Sequence, residues 1–495
     1  MKQRAPLTLA AVTAALAASC GLAFLTAPAA APAAGARGAA AARMPVERSV
    51  LVCPAPSSSD IAETTYTSLT PVTPGLAAGK GAARLASTEG KAVLEPKEPG
   101  KPVAATVSGA EAPALTGTAQ GALAPGWTAQ QTTKVAVGQA RGLLGLACTA
   151  PGTDFWFPGV STAKGRQDYV HLTNPDDTVA EVDIKLYGPD GLLKPKPGTP
   201  DLVTEVKPHS TTKVWLATLA ADAQLPDVTA HVTTRSGRVG ASTQIAEDGV
   251  GSDWLPASDG PAGSLVLPGI PADATSVRLV AFAPGEDDAD LNLKLSGLNG
   301  SISPAGKEQL HVKAGMTASL DLADLTRGEA GSLFLAPADP KKPVPVVAAL
   351  RVVRGTGAKQ EVAFIPASPP VGERATVADD RLDDKATTLT LTAAGADAKV
   401  RVTASPGTEG GRPSVQELTL KAGTTRALTP PPAPTGGKGP YALTVETLSG
   451  GPVHAARTLA LPQEGIPMFT VQTFADDRSR VSVPHAVEDP SILVR

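Results

Sequence analysis

A chain of 495 residues with a formal net charge of −3, 42% hydrophobic and 18% charged residues, carries enough apolar material for several packed domains. That balance excludes bulk disorder and gives no basic footprint for nucleic acid. Forty-nine Gly and 47 Pro beside only 3% aromatics point to many short elements joined by turns.

Lys2 and Arg4 precede an apolar run from Pro6 to about Ala27, followed by A-x-A tripeptides. This reads as a secretory signal peptide over residues 1–27, and its length also suits a retained N-terminal membrane anchor. Cys20 follows Ala17-Ala18-Ser19, which lacks the Leu that a lipidation motif places three before its Cys. No later segment is long and apolar enough to span a membrane. The chain after residue 45 is therefore expected outside the cytoplasm, secreted or tethered by the N-terminal segment, with residues 28–46 an Ala/Pro/Gly linker.

Residues 47–155 read as an N-terminal β domain, from SVLVCP through TTYTSLTP, KAVLEP, PVAATVSG and WTAQQTTKVAV to GLLGLAC. The two cysteines of the exported part, Cys53 and Cys148, are expected to form a disulfide between its first and last strands. A loop of that length stabilises by about 4 kcal/mol on the chain-entropy estimate. Only faint correspondence links this region to the chain beyond residue 155.

In that later chain one pattern comes three times. VKPHSTTKVWL (206–216), VKAGMTASLDL (312–322) and LKAGTTRALTP (420–430) start 106 and 108 positions apart. Upstream of each lies an alternating strand: Val182, Ile184 and Leu186, then Leu291, Leu293 and Leu295, then Val400, Val402 and Ala404, at spacings of 109. Alternation ending in a Gly/Pro/Asn/Asp cluster describes a half-buried strand running into a turn. Val239, Val346 and Val453 mark a further strand, 107 apart. In the recurring turn Gly315 and Gly423 supply positive φ, and His209 stands in their place in the first copy. A period near 107 is domain-sized, so the fold class is all-β, a tandem of β-sandwich (immunoglobulin-like) domains. The repeats are expected at 156–260, 261–368 and 369–470, with a polar, peripheral tail over 471–495.

Trp156, Phe157, Trp215 and Trp254 are the candidate interaction surface, with interdomain packing as the competing account of such large apolar rings. No catalytic residue is expected. Ser161–Lys164 and Ser210–Lys213 have the Ser-x-x-Lys spacing, but neither lies in a helical pattern or has K-T-G and S-D-N partners. The six His are scattered, and no pair has metal-ligand spacing. Acidic runs at Asp176-Asp177, at Glu286, Asp287, Asp288 and Asp290, and at Asp379, Asp380, Asp383 and Asp384 read as solvated turns, with calcium the alternative. No cofactor or metal is expected.

CTAPGTDFWFPG, YVHLTNPDDTVAEVDIKLYGPDG, VKPHSTTKVWL, GRVGAS and SDWLPAS, in that order, resemble an actinobacterial family of exported, cell-envelope-associated proteins with a domain of unknown function. The likeness spans about residues 48–470. It implies an extracytoplasmic β-rich protein and transfers no activity or catalytic residue.

The resulting expectation is a non-catalytic structural or scaffolding ectodomain, monomeric, binding envelope proteins or cell-surface glycans and no nucleic acid. A carbohydrate-binding accessory protein is the first alternative, requiring Trp156, Trp215 and Trp254 exposed and coplanar. An envelope-polymer-modifying enzyme is the second, requiring two carboxylates in a cleft.

Overall fold

Alternating apolar residues form strands that each bury one face, and here such strands stack into pairs of sheets. A computed structural model describes residues 42–76, 80–195, 203–221 and 223–484. The leader with Cys20, and residues 485–495 of the tail with His485, lie outside the described residues. Among the described residues, the regular elements are strands apart from two single-turn 3-10 segments.

Four modules follow one another with one topology. In module 1 the strands are Arg48–Cys53, Glu63–Leu69, Gly81–Ser87, Ala92–Leu94, Val103–Ser108, Leu115–Gly121, Thr128–Val135 and Gly142–Ala147. Numbered one to eight in chain order, they make two antiparallel sheets, 1-6-3-4 and 5-2-7-8. Module 2 runs from Asp154–Val160 to Gly251–Leu255, module 3 from Leu265–Ile270 to Glu361–Pro366, and module 4 from Arg374–Asp380 to Phe469–Thr473. All three repeat both sheet orders, with the fourth strand in two short pieces in modules 2 and 3. The N-terminal region, faint in sequence, is thus a fourth copy of the same sandwich.

Val182, Leu291 and Val400 all lie in third strands and are all buried in the core between the two sheets. Burying each such side chain contributes about 2 kcal/mol. The expected limits shift slightly. The first strand of module 2 begins at Asp154, before 156, and the last strand of module 4 runs past 470 to Thr473. The tail is not simply peripheral either, because Phe474 is buried in the module 4 core and Asp477 is buried against Arg374. Ala42–Pro45, expected as linker, pairs as a short ribbon with Arg480–Val483.

The disulfide Cys53–Cys148 is present, with Cα atoms 4.6 Å apart. Cys53 ends the first strand and Cys148 follows the eighth, so the bond ties one sheet of module 1 to the other through a core that includes Trp127.

Residues Pro45–Arg480 form one unit in which the modules close into a ring. Trp254 of module 2 packs with Leu144 and Leu146 of module 1. Val353, Val362 and Phe364 of module 3 join the core of module 2. Ala456, Phe469 and Val471 of module 4 join that of module 3. Module 4 then returns to module 1, where Leu69 meets Ala378 and Ala442, and Leu143 meets Leu459 and Met468. The four eighth strands (Gly142–Ala147, Gly251–Leu255, Glu361–Pro366 and Phe469–Thr473) each pack on the next, the fourth on the first, around the centre of the ring.

The thrice-repeated turn has a role in this assembly. Thr317 Oγ1 donates to Tyr187 O of module 2 at 2.7 Å. Thr425 Oγ1 meets Ser296 Oγ of module 3 at 3.1 Å, and that serine donates to Gly423 O at 2.8 Å. In modules 3 and 4 this turn docks the module on its predecessor. His209 has φ 48°, against 68° and 69° at Gly315 and Gly423, so the turn geometry is the same and the histidine adopts the left-handed region.

Candidate interaction surface and buried polar seams

Three of the four expected surface residues are buried. Phe157 lies in the module 2 core. Trp156 is stacked on His231, centroids 3.5 Å apart, and packs on Phe282 and Val347 of module 3. Trp254 is sealed between modules 1 and 2, edge-on to the buried His171. Burial pushes the His171 imidazole down to about 3, helped by the Lys213 charge. Large rings go where neighbouring sheets cover them, and the ring arrangement supplies that cover twice over. Trp215 remains, 43% exposed on the edge strand Ser210–Trp215. It stacks on Tyr169 with centroids 6.3 Å apart and planes at 27°, and Lys213 Nζ lies 3.9 Å from the Tyr169 centroid. Trp156, Trp215 and Trp254 therefore form no common exposed plane.

Two strongly perturbed acids, Asp253 and Glu361, lie in the seams between modules. Asp253, fully buried in the eighth strand of module 2, accepts from Gly145 N of module 1 at 3.0 Å and from Thr470 Oγ1 of module 4 at 3.2 Å. Burial holds its carboxyl well above the usual range despite those donors, and the Glu361 charge of module 3 adds to the effect. All four modules thus act on one carboxylate. Gly145 has no side chain because a Cβ there would strike Thr470 and Gln472. Glu361 is pushed up to about 8 by burial, against the pull of Arg141, whose Nη1 is 4.0 Å away. Arg141 also donates to Val250 O of module 2 and, at 2.9 Å, to Gln360 O of module 3.

The seam between modules 4 and 1 is polar as well. Modules 2, 3 and 4 each have a bulge in the first strand, at Gly159, Gly269 and Asp379, with φ of 98°, 91° and 67°. The next residue is apolar in Val160 and Ile270 and acidic in Asp380. Asp379 and Asp380 are both fully buried, which corrects the expectation of a solvated turn there. Asp379 accepts from Thr67 Oγ1 of module 1 at 3.3 Å and pairs with Arg381, while Asp380 Oδ1 lies 3.6 Å from the buried Arg457. Burial raises the Asp380 carboxyl to about 7, opposed by the Arg457 guanidinium. Nearby, Arg374 binds Asp477 at 2.5 Å and donates to Val72 O and Thr73 Oγ1 of module 1 at 3.0 and 3.2 Å. The acidic run gave one signal of this site, but not that Asp379 faces module 1 and Asp380 the interior of its own module.

Asp287, Asp288, Asp290 and Asp339 line an open cleft of about 740 Å³ on module 3. His311 pairs with Asp288 and Asp290, which are 53% and 68% exposed. Asp176 pairs with Arg238 and Asp177 with His209. Among the described residues, no group of three or more His, Cys, Asp or Glu side chains is placed to hold a metal ion. The Ser161 and Ser210 hydroxyls donate to the backbone, to Leu225 O and Lys207 O.

A family model described as a family of unknown function, DUF5719, matches residues 103–431. The match begins at the fifth strand of module 1 and ends just past that of module 4, so it holds modules 2 and 3 whole. No curated protein matches the chain.

Proposed function

Given that the chain belongs to the DUF5719 family, whose function is unknown, we propose that it is a non-catalytic extracytoplasmic scaffold of the actinobacterial cell envelope, presenting a ring of sandwiches to envelope proteins or glycans. The observation that carries this reading is where the perturbed acids lie. Asp253 and Glu361 are fully buried in seams between modules, where their work is to join modules, and Asp380 is fully buried inside module 4, so none of the three is open to a substrate. A perturbed carboxyl in an open cleft argues for catalysis, whereas a perturbed carboxyl inside an interface argues for assembly. The disulfide supports an oxidising compartment.

The enzymatic alternative has the acidic cleft of module 3 in its favour. Its carboxylates are solvent-exposed, and a general acid needs a desolvated site to hold its proton at neutral pH. The carbohydrate-binding alternative is favoured by Trp215 and Tyr169 alone.

Thiol trapping in intact cells, with fractionation and affinity retention on isolated envelope polysaccharide and on solubilised membrane proteins, tests the scaffold reading. Oxidised Cys53 and Cys148, an envelope location and saturable retention of one envelope component are expected. Reduced thiols in a cytoplasmic fraction, or turnover of envelope polymer by the purified protein, would overturn it.

A further inference from the structure

One pair of neighbouring positions is used differently in modules 2 and 3. Across the second and fifth strands of module 3, Arg278 faces Asp321, and in module 2 the same places hold Tyr169 facing Trp215. Arg278 grips both carboxylate oxygens of Asp227, a module 2 residue, at 2.5–3.1 Å, and donates to Ser319 Oγ at 2.9 Å. In module 3 this spot is therefore consumed in holding the ring together. In module 2 it faces outward, and Lys213 occupies the place of Ser319.

The side chains there are not left over from core packing. Trp127, Trp156 and Trp254 are at most 8% exposed, and Trp215 is 43% exposed. Its ring and that of Tyr169 form one continuous aromatic strip, and the Lys213 ammonium beside it makes no ion pair among the described residues.

We propose that Trp215, Tyr169 and Lys213 form a binding platform for an anionic glycan. The C–H face of a pyranose stacks on Trp215, while Lys213 swings from the Tyr169 face to a carboxylate or phosphate on the sugar. A flat sheet face with two rings suits a sugar ring, which needs no pocket. An extended peptide adding to the strand edge is disfavoured, because the exposed Lys213 in mid-strand guards that edge. The inference deepens the envelope-scaffold reading and rests on it.

The test uses the full chain and a linear oligogalacturonate as the anionic probe, with a neutral maltooligosaccharide beside it. Oligogalacturonate is expected to shift tryptophan emission saturably, because Trp215 is the exposed indole. Affinity should fall at least tenfold in Trp215→Ala and about fivefold in Lys213→Gln, with both variants keeping the parent thermal midpoint since both side chains are exposed. The neutral sugar should bind more weakly and be indifferent to Lys213→Gln. No shift with oligogalacturonate, or equal affinity in Trp215→Ala, would overturn the proposal. If Trp215→Ala still retains envelope polysaccharide as the parent does, the platform is wrong and the scaffold reading stands. Loss in that variant of a single membrane-protein partner, with no polysaccharide retained by either form, assigns the surface to protein and rejects the glycan.

Discussion

His209 occupies a left-handed position that its two counterparts give to glycine. That conformation costs a residue with a Cβ about 1–2 kcal/mol, while glycine adds back some unfolded-chain entropy. The exposed contact of His209 with Asp177 offsets little. His209→Gly is expected to raise the unfolding free energy by about 1 kcal/mol in urea titration, and a loss of stability would show that the Asp177 contact matters more than the backbone. Asp380 and Arg457 give a second residue-scale case. Arg457→Ala strands a buried carboxylate and should cost about 3–5 kcal/mol. The places of Asp380 and Arg457 in module 3 hold Ile270 and Leu350. The double change Asp380→Ile with Arg457→Leu should recover most of that loss, because a buried pair seldom outperforms packed apolar groups. A double variant no more stable than Arg457→Ala would mean the pair does more than balance charge.

Among the elements, the Cys53–Cys148 bond and the docking turns do the joining. The bond spans 95 residues and ties both sheets of module 1, so replacing both cysteines with Ala should cost about 4 kcal/mol. Calorimetry of oxidised, reduced and doubly substituted protein checks this, and reduced and substituted forms should melt alike. The eighth strands show why seams are hard to read from sequence. Trp254 and Asp253 sit side by side in one strand; Trp254 is buried against module 1, and Asp253 against modules 1 and 4, rather than in their own sandwich core. Alternation marks a residue as covered without saying by what.

For the whole ring, closure depends on contacts between the first and last modules. Arg374→Ala removes its bonds to Val72 and Thr73 and leaves Asp477 buried without its cation. Hydrogen exchange is expected to speed up in Gly142–Ala147 and Phe469–Thr473, the eighth strands that meet there, with the fifth strands of modules 2 and 3 unchanged. Uniform acceleration would instead mean that the ring unfolds as one body. The buried acids give the folded chain a pH dependence. Glu361 is protonated in the folded chain up to about pH 8 and ionised in the unfolded chain above about 4.5, and Asp380 and Asp253 are shifted the same way. The folded state holds more protons across that window. The Glu361 contribution to stability is therefore greatest at and below about pH 4.5 and falls by about 1.4 kcal/mol per pH unit up to about pH 8; that of Asp380 falls likewise between about pH 3.8 and 7, and Asp253 acts in the same direction. Denaturation at pH 5, 6.5 and 8 should show this slope, and Glu361→Gln should flatten it. An unchanged slope in the variant would exclude Glu361 as a source.

By itself, the order of residues determined the strands, the turns, the domain-sized period and the disulfide. Those are local properties: alternation, a glycine that accepts positive φ, and two cysteines in a chain read as exported. Tertiary structure alone decided that the N-terminal region is a fourth copy, that the modules close, and that Trp156 and Trp254 are buried while Trp215 is exposed. It also decided the burial of Asp379, whose partner Thr67 lies 312 positions away. What covers a strand's outer face is set by chain hundreds of residues distant, and no local pattern encodes the identity of that cover.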